Sequence, residues 1–127
     1  DWSSDVCSSD LTIPKLFARN ERLVIFFETK AGLMAMVLVG AVIVGAINTV
    51  WHGDVFRTKM KSFYNYTNLD ETIALLKGEE MGHFKLGSTV ILLFAKESQV
   101  CWQTDLRAGS VVSYGQALAG ISIANTP

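Results

Sequence analysis

The 127 residues of this chain suffice for one domain with a real core, since half of them are apolar. A formal net charge of −1, from 11 basic and 12 acidic residues, provides no electrostatic footprint for nucleic acid, and no nucleic-acid partner is expected. Two cysteines, Cys7 and Cys101, without metal-type spacing point away from a disulfide framework and from a zinc or other metal site, and toward a reducing compartment.

In chain order, Asp1 to Asp10 (DWSSDVCSSD) has no hydrophobic period and no signal-peptide layout, and reads as the in-frame translation of a common sequencing-adapter oligonucleotide. Residues 1–11, with Leu11 included, are therefore expected to be non-native and disordered, and the gene sequence to be cut off at its 5′ end. Cys7 drops out with them, leaving Cys101 as an unpaired thiol that reads as a small strand residue rather than a nucleophile. The remainder, 12–127, is the part to fold.

Ile13-Pro14-Lys15 is extended, and RLVIFFET at Arg22–Thr29 is a strong strand by its β-branched and aromatic content. Lys30-Ala31-Gly32 makes a turn. Residues 31–53 contain no charged residue, which raises a membrane-spanning helix as an alternative, because roughly 20 apolar residues cross a bilayer. Glycines 32, 40 and 45, the valine and isoleucine between them, and Asn48, Thr49 and His52 at the far end favour two buried strands instead, over 33–39 and 41–50. Residues 54–68 alternate polar and aromatic, and read either as a basic-aromatic surface for anionic headgroups or as an exposed edge strand or loop. Asn68 to Leu75 stays open between a helical turn and a strand. Gly78 to Gly82 reads as a tight turn and Val90 to Phe94 as a buried strand. The tail alternates short apolar runs with turns at Arg107 to Ser110 and at Gly115-Gln116, with strands expected over 100–102, 111–113 and 117–123. The fold class is mainly β: an antiparallel, sandwich-like core of short strands with little helix.

The stretch KGEEMGHFKLGSTVILLF, Lys77 to Phe94, carries the chemistry. A bare Gly-Ser is usually a turn, and Gly109-Ser110 is another. Here the pair lies where a loop enters a strand, inside Leu86-Gly87-Ser88-Thr89. The stretch closely resembles the self-cleavage segment of bacterial phosphatidylserine decarboxylases. Leu16-Phe17-Ala18-Arg19-Asn20-Glu21-Arg22, Val39-Gly40-Ala41, Ile43-Val44-Gly45 and Thr49-Val50-Trp51 are similar to that family in order and spacing, so the resemblance runs from about Ile13 to Ile123.

The resemblance implies that the chain breaks at Gly87–Ser88 and that Ser88 becomes a covalent pyruvoyl cofactor. Glycine at 87 lacks the Cβ that would resist the backbone twist needed for the serine oxygen to reach the preceding carbonyl. The acyl shift gives an ester, β-elimination expels the Gly87 carboxylate, and the dehydroalanine tautomerises and hydrolyses to pyruvoyl with loss of ammonia. The ketone then holds a substrate amine as a Schiff base and takes up electrons as CO2 leaves. The family further implies decarboxylation of phosphatidylserine to phosphatidylethanolamine, in phospholipid biosynthesis, at the cytoplasmic face of a bacterial membrane. It also implies a β chain ending at Gly87, of which 12–87 is a part, and an α chain over 88–127, the two staying together, and a homodimer at full length.

Other residues read less sharply. His83, four residues before Gly87, and His52, after Trp51, read as ordinary histidines. Glu79 and Glu80 are adjacent on an extended segment and point to opposite faces, so no acid/base dyad follows. Lys77 and Lys85 poorly match a carrier lysine at a hairpin tip, and Asp70 and Asp105 have no histidine partner in the sequence. The chain departs from the family in lacking the upstream aspartate and the Tyr-His segment that precede Leu16 and activate the serine, so the isolated chain is expected to mature slowly or not at all and to be inactive. Two rival classes remain at this stage: a pyruvoyl decarboxylase of a soluble amino acid, and a non-enzymatic carrier or phosphotransfer-like β-sandwich. Amplifying the locus from source DNA is expected to return different codons before Leu11, whereas recovery of the Asp1 to Asp10 codons from adapter-free template would refute the adapter origin.

Overall fold

A computed structural model describes residues 20–40, 47–55, 62, 64, 66, 73–85 and 88–122. Among these residues there are eight strands and no helix, so the mainly-β expectation is met. They are β1 (Arg22–Thr29), β2 (Gly32–Gly40), β3 (Ile47–Thr49), β4 (Gly53–Val55), β5 (Gly82–Phe84), β6 (Ser88–Phe94), β7 (Val100–Trp102) and β8 (Ala119–Ile121). They form three small sheets of order β1-β2-β6, β4-β3-β5 and β7-β8. No helix among the described residues is long and apolar enough to cross a membrane; residues 32–40 of the uncharged stretch are strand.

The first hairpin follows from its sequence. β-branched and aromatic residues fill β1, and its side chains alternate exposed and half-buried, the period of a pleated strand. Gly32 closes the turn at φ +104°, a left-handed backbone that a side chain would strain. Thr29 fastens the turn: its Oγ1 donates to the Gly32 carbonyl at 2.7 Å and accepts from the Ala31 amide at 3.1 Å. At the open end the Gly40 amide donates to the Glu21 carbonyl at 3.0 Å.

The chain divides into two compact units, Asp1–Val24 with Val37–Ile91, and Ile25–Met36 with Leu92–Pro127. In the first, β3 is the middle strand, antiparallel to both neighbours, with Ile47 facing Val55 and Phe84, Asn48 facing Asp54 and His83, and Thr49 facing Gly53 and Gly82. Leu38, Val39, Ile47 and Thr49 are buried there, and Ile47 and Thr49 are nearly sealed from solvent. Burying one such isoleucine contributes about 1.5–3 kcal/mol. The Thr49 hydroxyl has no hydrogen-bond partner, a cost of about 1–3 kcal/mol that the surrounding packing must offset. In the second unit β7 and β8 pair with Val100 facing Ile121. The ladder is extended at either end by the Ser122 amide on the Gln99 carbonyl and the Gln103 amide on the Leu118 carbonyl. Phe94 meets Trp102 edge to face at 5.8 Å. Phe26, Leu33, Ala35, Leu93, Phe94 and Ala95 line an open apolar recess of about 190 Å³.

Four expectations need correction. The strand over 90–94 exists but is not buried: among the described strands β6 is at the edge of its sheet, and Val90, Ile91 and Leu93 are 44–54% exposed. The strand over 33–39 is buried only at its far end, since Leu33 is exposed while Leu38 and Val39 are not. Gly82 ends no turn. It starts β5, and the turn itself is confined to Lys77-Gly78, with Gly78 at φ +85°. Residues 111–113 are exposed and irregular rather than strand. Of the strand expected over 41–50, Ile47–Thr49 is observed and 41–46 lie outside the described residues, as do 1–11 and most of 56–72. Residues 73–76 are neither helix nor strand.

Gly82 lies so close to β3 that a Cβ there would stand 2.0 Å from the Asn48 carbonyl oxygen. Gly82→Ala is therefore expected to destabilise the fold by about 1–3 kcal/mol, seen as a lower denaturation midpoint; an unchanged midpoint would show that β5 can sit farther from β3.

Candidate active site around Ser88

Ser88 opens β6 and is exposed, so a strand does begin at the serine of the Gly-Ser pair. Gly87 and Leu86 lie outside the described residues, so the assignment of Gly87 rests on sequence. Downstream, β6 is held by its pairing with β2. Upstream, Gly82–Phe84 is held on β3, and the Val50 amide donates to the Met81 carbonyl at 3.0 Å. Only two residues separate Lys85 from Ser88, so their Cα atoms are at most roughly 11 Å apart.

The face of β4-β3-β5 that bears Asn48, Asp54 and His83 continues to Lys85, two residues beyond His83 and so on the same side. The Asp54 carboxylate bridges it. Oδ1 accepts from the Asn48 amide at 2.9 Å and Oδ2 from the Lys85 ammonium at 2.6 Å. The Asn48 hydrogen bond first, then that of Lys85, hold the Asp54 carboxyl below its ordinary value against a smaller opposing effect of desolvation. Since that shift is downward, whatever the bridge adds to stability is present above the ordinary carboxylate pKa and is lost as pH falls through the lowered one.

The other candidate residues are engaged elsewhere. His83 lies on β5, where its Nδ1 is 3.2 Å from Glu80 Oε1, an exposed contact. Glu79 turns instead to the Leu76 amide at 2.6 Å, so the two glutamates form no dyad, as expected. His52, in the turn between β3 and β4, is hydrogen-bonded through Nδ1 to the Tyr66 hydroxyl at 2.8 Å and lies against the Tyr64 ring at 4.6 Å. Burial, and then the neighbouring Tyr64, push the Tyr66 phenol upward. Cys101 is a free, exposed strand residue facing Gly120. Among the described residues no group of histidine, cysteine or carboxylate side chains could hold a metal, and none hydrogen-bonds the Ser88 hydroxyl. A pyruvoyl group at position 88 fits this setting: the side chain stands at a strand start, in the open, with no described side chain bonded to it.

The Asn48 and Asp54 pair escaped the sequence reading. The signal was there in two polar residues six apart, on either side of a turn ending in Gly53 at φ +75°.

The family model described as phosphatidylserine decarboxylase matches residues 4–120. The chain is 54% identical over 110 residues to the phosphatidylserine decarboxylase proenzyme of Legionella pneumophila (strain Lens), covering 87% of this chain and 39% of that protein. It is 49% identical over 113 residues to the protein of the same name from Coxiella burnetii (strain Dugway 5J108-111), covering 88% and 39%. Likewise it is 49% identical over 112 residues to that of Shewanella baltica, covering 86% and 38%. The chain thus spans about two fifths of the length of these curated relatives. No solved structure matches it.

Proposed function

This chain belongs to the phosphatidylserine decarboxylase family, and we propose that it supplies the self-cleavage site and the cofactor-forming serine of a proenzyme that decarboxylates phosphatidylserine. The observation that carries the reading is the position of Ser88, exposed as the first residue of β6 within Leu86-Gly87-Ser88-Thr89 and three residues after a lysine tied to the neighbouring sheet. Ser88 Oγ attacks the Gly87 carbonyl, and its proton and the amide bond are exchanged for an ester and a free amine. Elimination then releases Gly87 as a carboxylate, and water takes the nitrogen away as ammonia. The resulting pyruvoyl carbonyl supplies the electron sink for decarboxylation of an amine-bearing substrate. Gly87 is the end of one product chain, and Ser88 the cofactor-bearing start of the other, 88–127. In this reading the two chains stay together, and the mature enzyme is a dimer that works peripherally at the cytoplasmic side of a bacterial membrane, where its lipid substrate lies.

The test uses a full-length proenzyme in which this chain replaces its counterpart in the Legionella pneumophila protein. It is expected to split between Gly87 and Ser88 and to give a smaller product with no free amino terminus. Ser88→Ala is expected to abolish both cleavage and decarboxylation while the protein still folds. Edman degradation proceeding from Ser88 would rule out pyruvoyl formation, and an intact mass without cleavage would rule out self-processing.

The 127-residue chain alone is expected to stay in one piece and to release no CO2, because no described side chain is bonded to the Ser88 hydroxyl to take its proton. Two chains in the freshly purified protein, by mass spectrometry, would show that a group within it serves as the base.

A further inference from the structure

Among the described residues, the last side-chain tie before Ser88 comes from another strand. Asp54 belongs to β4, an edge of its sheet, yet its carboxylate reaches Asn48 on the central strand and Lys85 just past the end of β5 on the far side. Ladder pairing holds β5 only as far as Phe84. Beyond it, the Lys85 ammonium at 2.6 Å from Asp54 Oδ2 is the last tie to the sheet among the described residues before Ser88. The pair is well placed to act on geometry rather than on stability. Asp54 is 31% and Lys85 46% exposed, and such pairs add little to folding. A self-attacking serine is, by contrast, acutely sensitive to position, since its oxygen must lie about 3–3.5 Å from the carbonyl carbon it attacks.

We propose that Asp54 is a positioning residue for self-cleavage: it holds Lys85, three residues before Ser88, beside the central strand, and self-attack by Ser88 is faster with Lys85 so held. The inference rests on the reading of Gly87–Ser88 as the scissile bond. Asn48 fixes one Asp54 oxygen so that the other is aimed at Lys85, and the near-isosteric Asp54→Asn keeps the shape while removing the charge that draws the ammonium in.

The experiment follows the half-time of cleavage in the full-length chimeric proenzyme, with the denaturation midpoint measured in parallel. Asp54→Asn and Lys85→Met are each expected to slow cleavage roughly two- to fivefold, the rate equivalent of one exposed ion pair, with the midpoint nearly unmoved. Combining them should slow it no further. Lys85→Arg should cleave as the parent does, and the exchange Asp54→Lys with Lys85→Asp should recover much of the rate. Salt near 1 M should slow the parent but not Asp54→Asn. If the parent cleaves and Asp54→Asn keeps pace with it, or if rate and midpoint fall together without recovery in the exchanged pair, the positioning role is overturned while the scissile bond stands. Failure of the parent itself to cleave would overturn the underlying reading and this inference with it.

Discussion

Two backbones meet at Gly82 with no room between them for a methyl group. That contact lets β5 lie against β3 and so fixes the face that bears Asn48, Asp54 and His83. β3 is the suitable partner. Its two outer residues, Ile47 and Thr49, are the most deeply buried side chains described, and a strand anchored on both sides by ladders and below by packing cannot yield to a shifted neighbour. The central strand thus carries, through Asn48 and Asp54, the tie that holds Lys85 on its flank.

Elsewhere the energetics are looser. Leu38, Val39, Ile47 and Ala31 are the buried apolar residues among those described, while Phe26, Leu33, Leu93 and Trp102 are half exposed or more. Strands β1 and β6 present apolar side chains on exposed positions, which is the composition of sheets covered on both faces rather than of sheets that meet water.

Much of this was legible in the sequence, for identifiable reasons. The first strand could be read to the residue, and the second to within one residue at each end, because a long β-branched and aromatic run, a turn and a glycine agree with one another. Ser88 at a strand start was legible from the change of composition at Gly87-Ser88, from glycine-rich to apolar. β5 was not, because Gly-His-Phe is too short to show a period and its glycine serves close packing rather than a turn. The exposure of β6 was missed because an apolar run records what a strand could bury, and not what lies over it. The Asp54 bridge joins residues 31 positions apart in the chain, and such pairings are set by strand register, which no local pattern encodes.

The placement of β6 bears on the history of the molecule. In the proposed mature form this strand belongs to one chain and its ladder partner β2 to the other, so the covalent path that brought them together while folding no longer exists. Loop closure, which makes such a pairing cheap within one chain, becomes an encounter between two separate ones, with a cost that depends on dilution. The mature protein would then hold its shape by the height of its unfolding barrier rather than by a reversible balance. It would fold once, as a proenzyme, and a heated sample that lost its structure would not regain it on cooling.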